Sequence, residues 1–199
     1  MAGAFPISSA KFGTLGIKSN QTTILSKSVS GKKLARQLDN QRWSFTVQII
    51  TAKRSDVYGD LMAFILKQRS GKENFTIVPP EIEDARGTAS GTPNGTASAG
   101  ATSITLGGTG SGTLKAGDFI KFANHSKVYM VVADQNDIST GSLTIEPPLT
   151  TAVSSSDIQY DNVPFTVHLT NDMQQFGVSG ADKDGNLYYE YQFDVEEAL

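Results

Sequence analysis

The stretch RWSFTVQII, residues 42–50, carries the clearest structural signal in the chain. The odd-numbered positions from 43 to 49 hold large apolar side chains, whereas the even-numbered positions between them are polar. A period of two predicts a β-strand with one face in a core and the other face in solvent. The segments on either side are therefore interpreted around this strand.

A helix signal follows the strand. Ser55 is a suitable N-cap, apolar side chains recur at helical spacing from Val57 to Ile65, and Gly71 is placed to end the helix. These features predict an α-helix near residues 55–70. A short strand at 74–78 comes next and stops at two prolines, which cannot continue a sheet ladder.

Both ends of the chain supply further strands. Alternation predicts short strands at 12–17, 22–29 and 33–38, and longer amphipathic strands at 163–169 and 187–195. The C-terminal strands would lack a partner layer on their own, and the N-terminal strands and the helix can provide one. We therefore expect a mainly β protein whose main domain is a discontinuous β-sandwich with one α-helix, built from residues 1–86 and 161–199.

The segment between these two parts begins with GTASGTPNGTASAGATSITLGGTGSG, residues 87–112. Residues 87–100 contain no large apolar side chain, so they are predicted to be an exposed linker. Short strands then recur at intervals of about ten residues, which is typical of a small barrel or compact sandwich. The sequence thus predicts an inserted small β-barrel-like domain at 101–160.

Charge is divided unevenly along the 199 residues. The formal net charge of −3 argues against sequence-specific nucleic-acid binding. Residues 1–75 contain 12 Lys and Arg against 4 acids, and the remainder contains 5 against 16. Two interpretations are open: scattered solvated charge, or a basic surface that meets an acidic surface of a neighbouring copy.

Other classes of function find little support in the sequence. The chain has no cysteine, no signal-peptide pattern and no apolar run near the roughly 20 residues that span a bilayer, so membrane insertion is not expected. The glycine run lacks the Gly-Lys-Ser/Thr of a phosphate loop, and DKDG at 182–185 lacks the glutamate of an EF-hand. His125 and His168 have no spacing typical of a metal site or catalytic triad. We expect no enzyme activity, no cofactor and no metal.

Aromatic residues near the end of the chain allow two interpretations. Tyr188, Tyr189 and Tyr191 could form a platform for sugars or nucleic acid. Alternation places Tyr188 on the opposite face from the other two, so core packing or a protein interface is the more economical interpretation.

Two groups of residues resemble tail proteins of tailed bacteriophages. The first runs from an Arg-Trp pair through the helix to a strand ending in proline, and comprises Arg42, Trp43, Phe45, Leu61, Phe64, Leu66, Gly71, Phe75 and Pro79. The second is similar to a small β module of such proteins, and comprises Gly117-Asp118, Lys127-Val128-Tyr129 and Pro147-Pro148-Leu149. The family that the chain resembles most is the distal tail protein, although its second domain often follows the first rather than being inserted.

The resemblance implies a structural virion protein, made in the host cytoplasm, that forms a hexameric ring at the distal end of the tail tube. It implies the tail tube and other baseplate or tail-fibre proteins as partners. We expect a charged oligomer interface formed by seven residues: Lys53, Arg54, Lys67, Arg69, Asp194, Glu196 and Glu197. The alternatives are a carbohydrate-binding or host-recognition module, or another ring such as a tail terminator or tube component.

Overall fold

The computed structural model describes residues 3–6, 12–38, 41–80 and 82–199, with the backbone alone described for Thr51, Ala52, Arg54 and Asp56. The prediction of a mainly β protein with one α-helix and a small barrel is confirmed in the described residues. The strands are β1 Phe12–Asn20, β2 Thr23–Lys27, β3 Lys33–Gln37, β4 Arg42–Lys53, β5 Phe75–Ile77, β6 Pro93–Ala97, β7 Ser103–Gly108, β8 Phe119–Phe122, β9 Val128–Val131, β10 Ser142–Glu146, β11 Val153–Gln159, β12 Phe165–Leu169, β13 Gly177–Ala181 and β14 Leu187–Glu197. The helix is α1 Gly59–Lys67.

The main sheet combines strands from both ends of the chain. Its order is β1-β4-β14-β12-β5, and β13 pairs with the first half of β14. Strand β4 is antiparallel to β14 in a register that sets Val47 opposite Phe193 and Phe45 opposite Val195. These facing apolar pairs form the buried face, and α1 packs its Leu61 against the same core.

The other face of this sheet is polar. Thr46 and Gln48 of β4 lie opposite Asp194 and Gln192 of β14, and Thr46 Oγ1 donates a hydrogen bond of 2.7 Å to Asp194 Oδ1. An antiparallel sheet with one packed and one polar face explains the period of two in both strands.

The helix begins later than the sequence predicts. A single π-helical turn, Arg54–Tyr58, continues from β4, and α1 starts at Gly59 with Tyr58 as its N-cap residue. The prediction of Ser55 as the N-cap is therefore wrong. Tyr58 is buried, and its ring stacks on Tyr189 at a centroid distance of 4.7 Å, so packing against β14 decides where the helix starts.

The barrel closes in the order β10-β7-β6-β11-β8-β9 around its own apolar core. Residues 87–100 are not the bare linker that the sequence predicts, because β6 lies within them and pairs with both β7 and β11. Gly95 of β6 explains how an apolar-poor strand fits there. A Cβ at this position would lie 2.7 Å from Ile104 and 2.8 Å from Phe122. The side chains of the barrel core therefore occupy the space that a larger residue would need.

Candidate assembly surfaces

Strands β2 and β3 form a hairpin that stands apart from both cores. Within the part of the chain that the structure describes they pair only with each other, and all ten of their residues are exposed. We call residues 21–38 the arm. Ile24, Leu25 and Leu34 on this hairpin are each more than half exposed. The described residues supply no layer that covers the arm, and a two-stranded hairpin without a packing partner is marginally stable in water.

The arm is also strongly basic. It contains Lys27, Lys32, Lys33 and Arg36 and no acidic residue. Lys27 lies directly opposite Lys33 across the hairpin, where like charges repel. Among the described residues none of the four cations has an ion pair. An acidic surface would relieve this repulsion.

Acidic residues cluster where the chain crosses between the main sheet and the barrel. Glu83 and Asp84 lie on the outgoing crossing and Asp161 on the return, and the return strand docks there through Val163 N–H to Glu83 O at 3.0 Å. Burial raises the pKa of Glu83 and of Asp161, and the charge of Asp84 raises both further. We call Glu83, Asp84 and Asp161 the crossover acids; in the described part of the chain no cation pairs with them.

The basic residues predicted for the interface lie in separate places. Lys53 at the end of β4 is 3.7 Å from Asp182 in the β13–β14 turn, so it has a partner within the chain. The side chain of Arg54 lies outside the described residues. Lys67 ends α1 and Arg69 follows in a left-handed turn, and both are exposed.

The acidic residues predicted for the interface are divided between two environments. Asp194 and Glu196 lie on the polar face of the main sheet, where Asp194 accepts the bond from Thr46 and Glu196 is 3.9 Å from Arg42. Glu197 points to the opposite face and is fully buried against Lys127 of the barrel. In a single chain Glu197 therefore does not contribute to an exposed acidic surface.

The tyrosines near the end of the chain are used mainly in packing. Tyr191 is buried and stacks on Phe176 at a centroid distance of 4.9 Å, and burial raises its pKa above the usual value. Tyr189 stacks on Tyr58, and Tyr188 is half-buried beside Lys53. The three rings therefore do not form one open platform.

A cleft of about 400 Å³ separates the base of the arm from the barrel. The described residues that line it include no charged and no aromatic side chain: Gln21, Gln37, Leu38, Gln41, Ala99, Gly100, Pro147, Pro148, Leu149 and Thr150. Sugar sites usually stack an aromatic ring on the ligand, so this lining does not favour the carbohydrate-binding alternative.

The two histidines occupy structural positions. The ring of His125 is held between Tyr129 Oη at 2.8 Å and Asn124 Oδ1 at 2.7 Å. His168 pairs in register with Glu196 across β12 and β14. Over the described ranges no group of three or more acidic or histidine side chains could hold a metal ion, and no helix is long and apolar enough to cross a membrane.

Comparison with known proteins identifies one segment of the chain. Residues 83–163, which hold the whole barrel and both crossings, match the family described as "Distal tail protein pb9, B domain". No curated protein matches the chain. This match confirms the resemblance to phage distal tail proteins. The match supports a structural role in the virion tail, in association with other tail proteins.

Proposed function

We propose that the protein, made in the host cytoplasm, forms a hexameric ring at the distal end of the tail tube and docks baseplate or fibre proteins there. The exposed arm is the observation that carries this proposal. It leaves three large apolar side chains and four cations without partners in the described chain, which is the pattern of a segment that is completed by another molecule.

A second copy of the chain is the best occupant for the arm. The crossover acids offer the complementary charge, and the ring is the assembly that the family resemblance implies. Of the acids on the polar sheet face, Glu196 already pairs with Arg42 within the chain, whereas no cation of the described chain pairs with the crossover acids. A head-to-tail contact of the arm with the next copy's crossover acids generates a closed ring when the rotation fits.

The end of α1 also belongs to the proposed interface. Lys67 and Arg69 lie at the end of α1 and present a second basic surface, which is suited to the tube or to a neighbouring subunit. The chain acts by assembly rather than by catalysis, in keeping with the structural role of the tail protein family. Nothing in this proposal requires a cofactor.

Neutralising the arm tests the proposal. The triple variant Lys27→Gln/Lys33→Gln/Arg36→Gln should assemble more weakly in light scattering, with the largest effect at low salt, where charge is least screened. The matched control is Lys18→Gln/Lys72→Gln/Lys183→Gln, which removes the same charge from exposed positions outside the arm. Equal assembly of the two triple variants would contradict the role of the arm.

The acidic counter-surface has its own test. Glu83→Gln/Asp84→Asn/Asp161→Asn should weaken assembly to the same extent as the arm variant. Combining the two triple variants should add little further loss, because both remove the same contact. If the acidic variant assembles normally while the arm variant does not, the arm docks on a different surface.

A further inference from the structure

A buried ion pair joins the barrel to the main sheet. Lys127, at the start of β9, and Glu197, at the end of β14, have side chains that are 1% and 0% exposed. The ammonium of Lys127 donates directly to Glu197 Oε2. It also donates to the backbone oxygen of Gln41 at 3.0 Å and to its Oε1 at 2.6 Å. All three ammonium protons therefore have acceptors.

The carboxylate is satisfied from both sides of the same boundary. Glu197 Oε1 accepts from Val128 N–H of the barrel at 2.9 Å, and Oε2 accepts from Trp43 N–H of the sheet at 3.2 Å. We call these two charged residues, with Gln41, Trp43 and Val128, the joint. Its polar groups come from three segments of the chain, and both Lys127 and Glu197 are fully hydrogen-bonded.

Trp43 adds directional contacts to the joint. Its indole Nε1–H donates to Val128 O at 2.8 Å, and its ring packs edge-on against Phe119 of β8 at a centroid distance of 5.2 Å. Phe119 in turn packs against Phe165 of β12 at 5.6 Å. The apolar cores of the two parts are therefore continuous across the joint.

An apolar contact by itself is tolerant of small rotations, because the hydrophobic effect has no direction. A buried charge pair is not, since a rotation that separates Lys127 from Glu197 leaves both charges unpaired in a dry environment. The joint therefore penalises every orientation of the barrel except the one in which all its hydrogen bonds form.

We propose that the Lys127–Glu197 pair is an orientation lock, which holds the barrel at one angle to the main sheet and prevents the crossings from acting as a hinge. In this view the barrel presents its outer surface in a fixed direction. The proposal does not depend on ring formation, because every group in the lock belongs to a single chain.

Distance measurements between two spin labels test the lock. The chain has no cysteine, so Lys72→Cys on the sheet side and Asn136→Cys on the barrel provide one labelled pair at exposed positions. The labelled full-length chain is diluted with unlabelled chain, so that only distances within one chain are measured. We expect one narrow distance distribution in this parent and broader ones after Lys127→Met or Glu197→Gln.

A second readout comes from Trp43, the only tryptophan in the chain. Its emission should shift to the red in the two lock variants, because loosening the joint admits water to the indole. The control Lys115→Met breaks an exposed ion pair with Asp134 in the same barrel and should change neither the distribution nor the emission. Narrow distributions in both lock variants would overturn the proposal.

The double variant Lys127→Met/Glu197→Met decides the question if a single variant fails to fold. It buries no unpaired charge, and apolar replacement of a buried ion pair is often tolerated. The lock proposal expects a folded barrel with a distribution broader than that of the parent. A distribution as narrow as in the parent would show that apolar contacts alone set the angle, and would overturn the proposal.

Discussion

Glu197 is buried because it continues the alternation of its own strand. Tyr191, Phe193 and Val195 all point into the core, and Glu197 is the next position on that face. The pattern that predicts the core positions of β14 thus places this carboxylate among them. Its partner, Lys127, lies far away in sequence, so the acidic residues around Glu197 are its only charged neighbours in the local pattern.

Gly71 is predicted to be one of the least replaceable residues. Its φ is +81°, and a Cβ at this position would lie 2.2 Å from the backbone oxygen of Leu169. The Gly71→Ala variant should lose at least about 2 kcal/mol of unfolding free energy, from left-handed strain and from displacement of β12. Urea unfolding measures this loss.

Gly31→Ala provides the matched control for Gly71. Its φ is +83°, but the nearest atom to a Cβ there is the end of Lys27 at 3.9 Å. Only the backbone strain applies, so we expect a loss of roughly 1 kcal/mol. Equal losses at the two positions would mean that the close approach to Leu169 has no energetic weight.

His125 should make the barrel sensitive to mild acid. Burial, and then the charge of Lys121, lowers the pKa of His125 below its usual value of 6.5. The unfolded chain therefore takes up a proton near pH 6.5 while the folded chain resists it, and stability falls as pH drops from about 6.5 toward the folded pKa. The contribution of His125 to the free energy of unfolding is fully present above that pH range.

Urea unfolding of the native protein and of His125→Gln between pH 7.5 and 5.5 measures this contribution. The difference in unfolding free energy between the two should shrink as pH falls, because only the native protein carries the imidazole. Parallel pH profiles would contradict a role for His125.

At the scale of elements, the Gly/Ser/Thr stretch that enters the barrel is an ordered ribbon. Its hydroxyl groups form hydrogen bonds between the two segments of the ribbon: Ser90 with Ser111 at 2.8 Å, and Thr92 with Thr109 at 2.7 Å. Gly112 allows the close approach, because a Cβ there would lie 2.1 Å from the backbone oxygen of Thr88. Composition alone predicts a linker here because hydroxyl pairing depends on a register that composition does not contain.

The arm should show how far an element depends on assembly. In a single chain no packed layer of described residues shields the backbone hydrogen bonds of the arm. The amides of the arm should therefore exchange rapidly with solvent. In the assembled protein the same amides should be protected. Hydrogen exchange read by mass spectrometry, above and below the assembly concentration, measures the difference, with β4 as the internal control. An arm that exchanges equally in both states would argue that it remains uncovered.

For the whole molecule, we propose that the inserted domain spans 83–163 rather than 101–160. Strand β6 lies outside the shorter range, yet it pairs with β7 and β11 and closes the barrel. A fragment of residues 83–163 should therefore fold cooperatively by circular dichroism and amide NMR, whereas a fragment of residues 101–160 should not. A folded shorter fragment would show that β6 is dispensable.

The uneven distribution of charge has a different meaning in three dimensions. Basic β4 and acidic β14 are neighbours in one sheet, so Arg42 meets Glu196, and Lys53 meets Asp182, within the same chain. Four of the cations that have no ion pair among the described residues lie on the arm. The position of a charge along the sequence therefore does not tell whether it has a partner within the chain.

The sequence by itself determined the features that depend on local periodicity: the amphipathic strands, the residues that face the core, and the existence of one helix after β4. These follow from side-chain alternation, which is a property of neighbouring residues. Only the tertiary structure decided that Lys127 meets Gln41, 86 residues away, and Glu197, 70 residues away. It also decided that β6 completes a barrel and that the arm is left uncovered. Such features depend on pairing between distant segments, and no local pattern encodes which segments will meet.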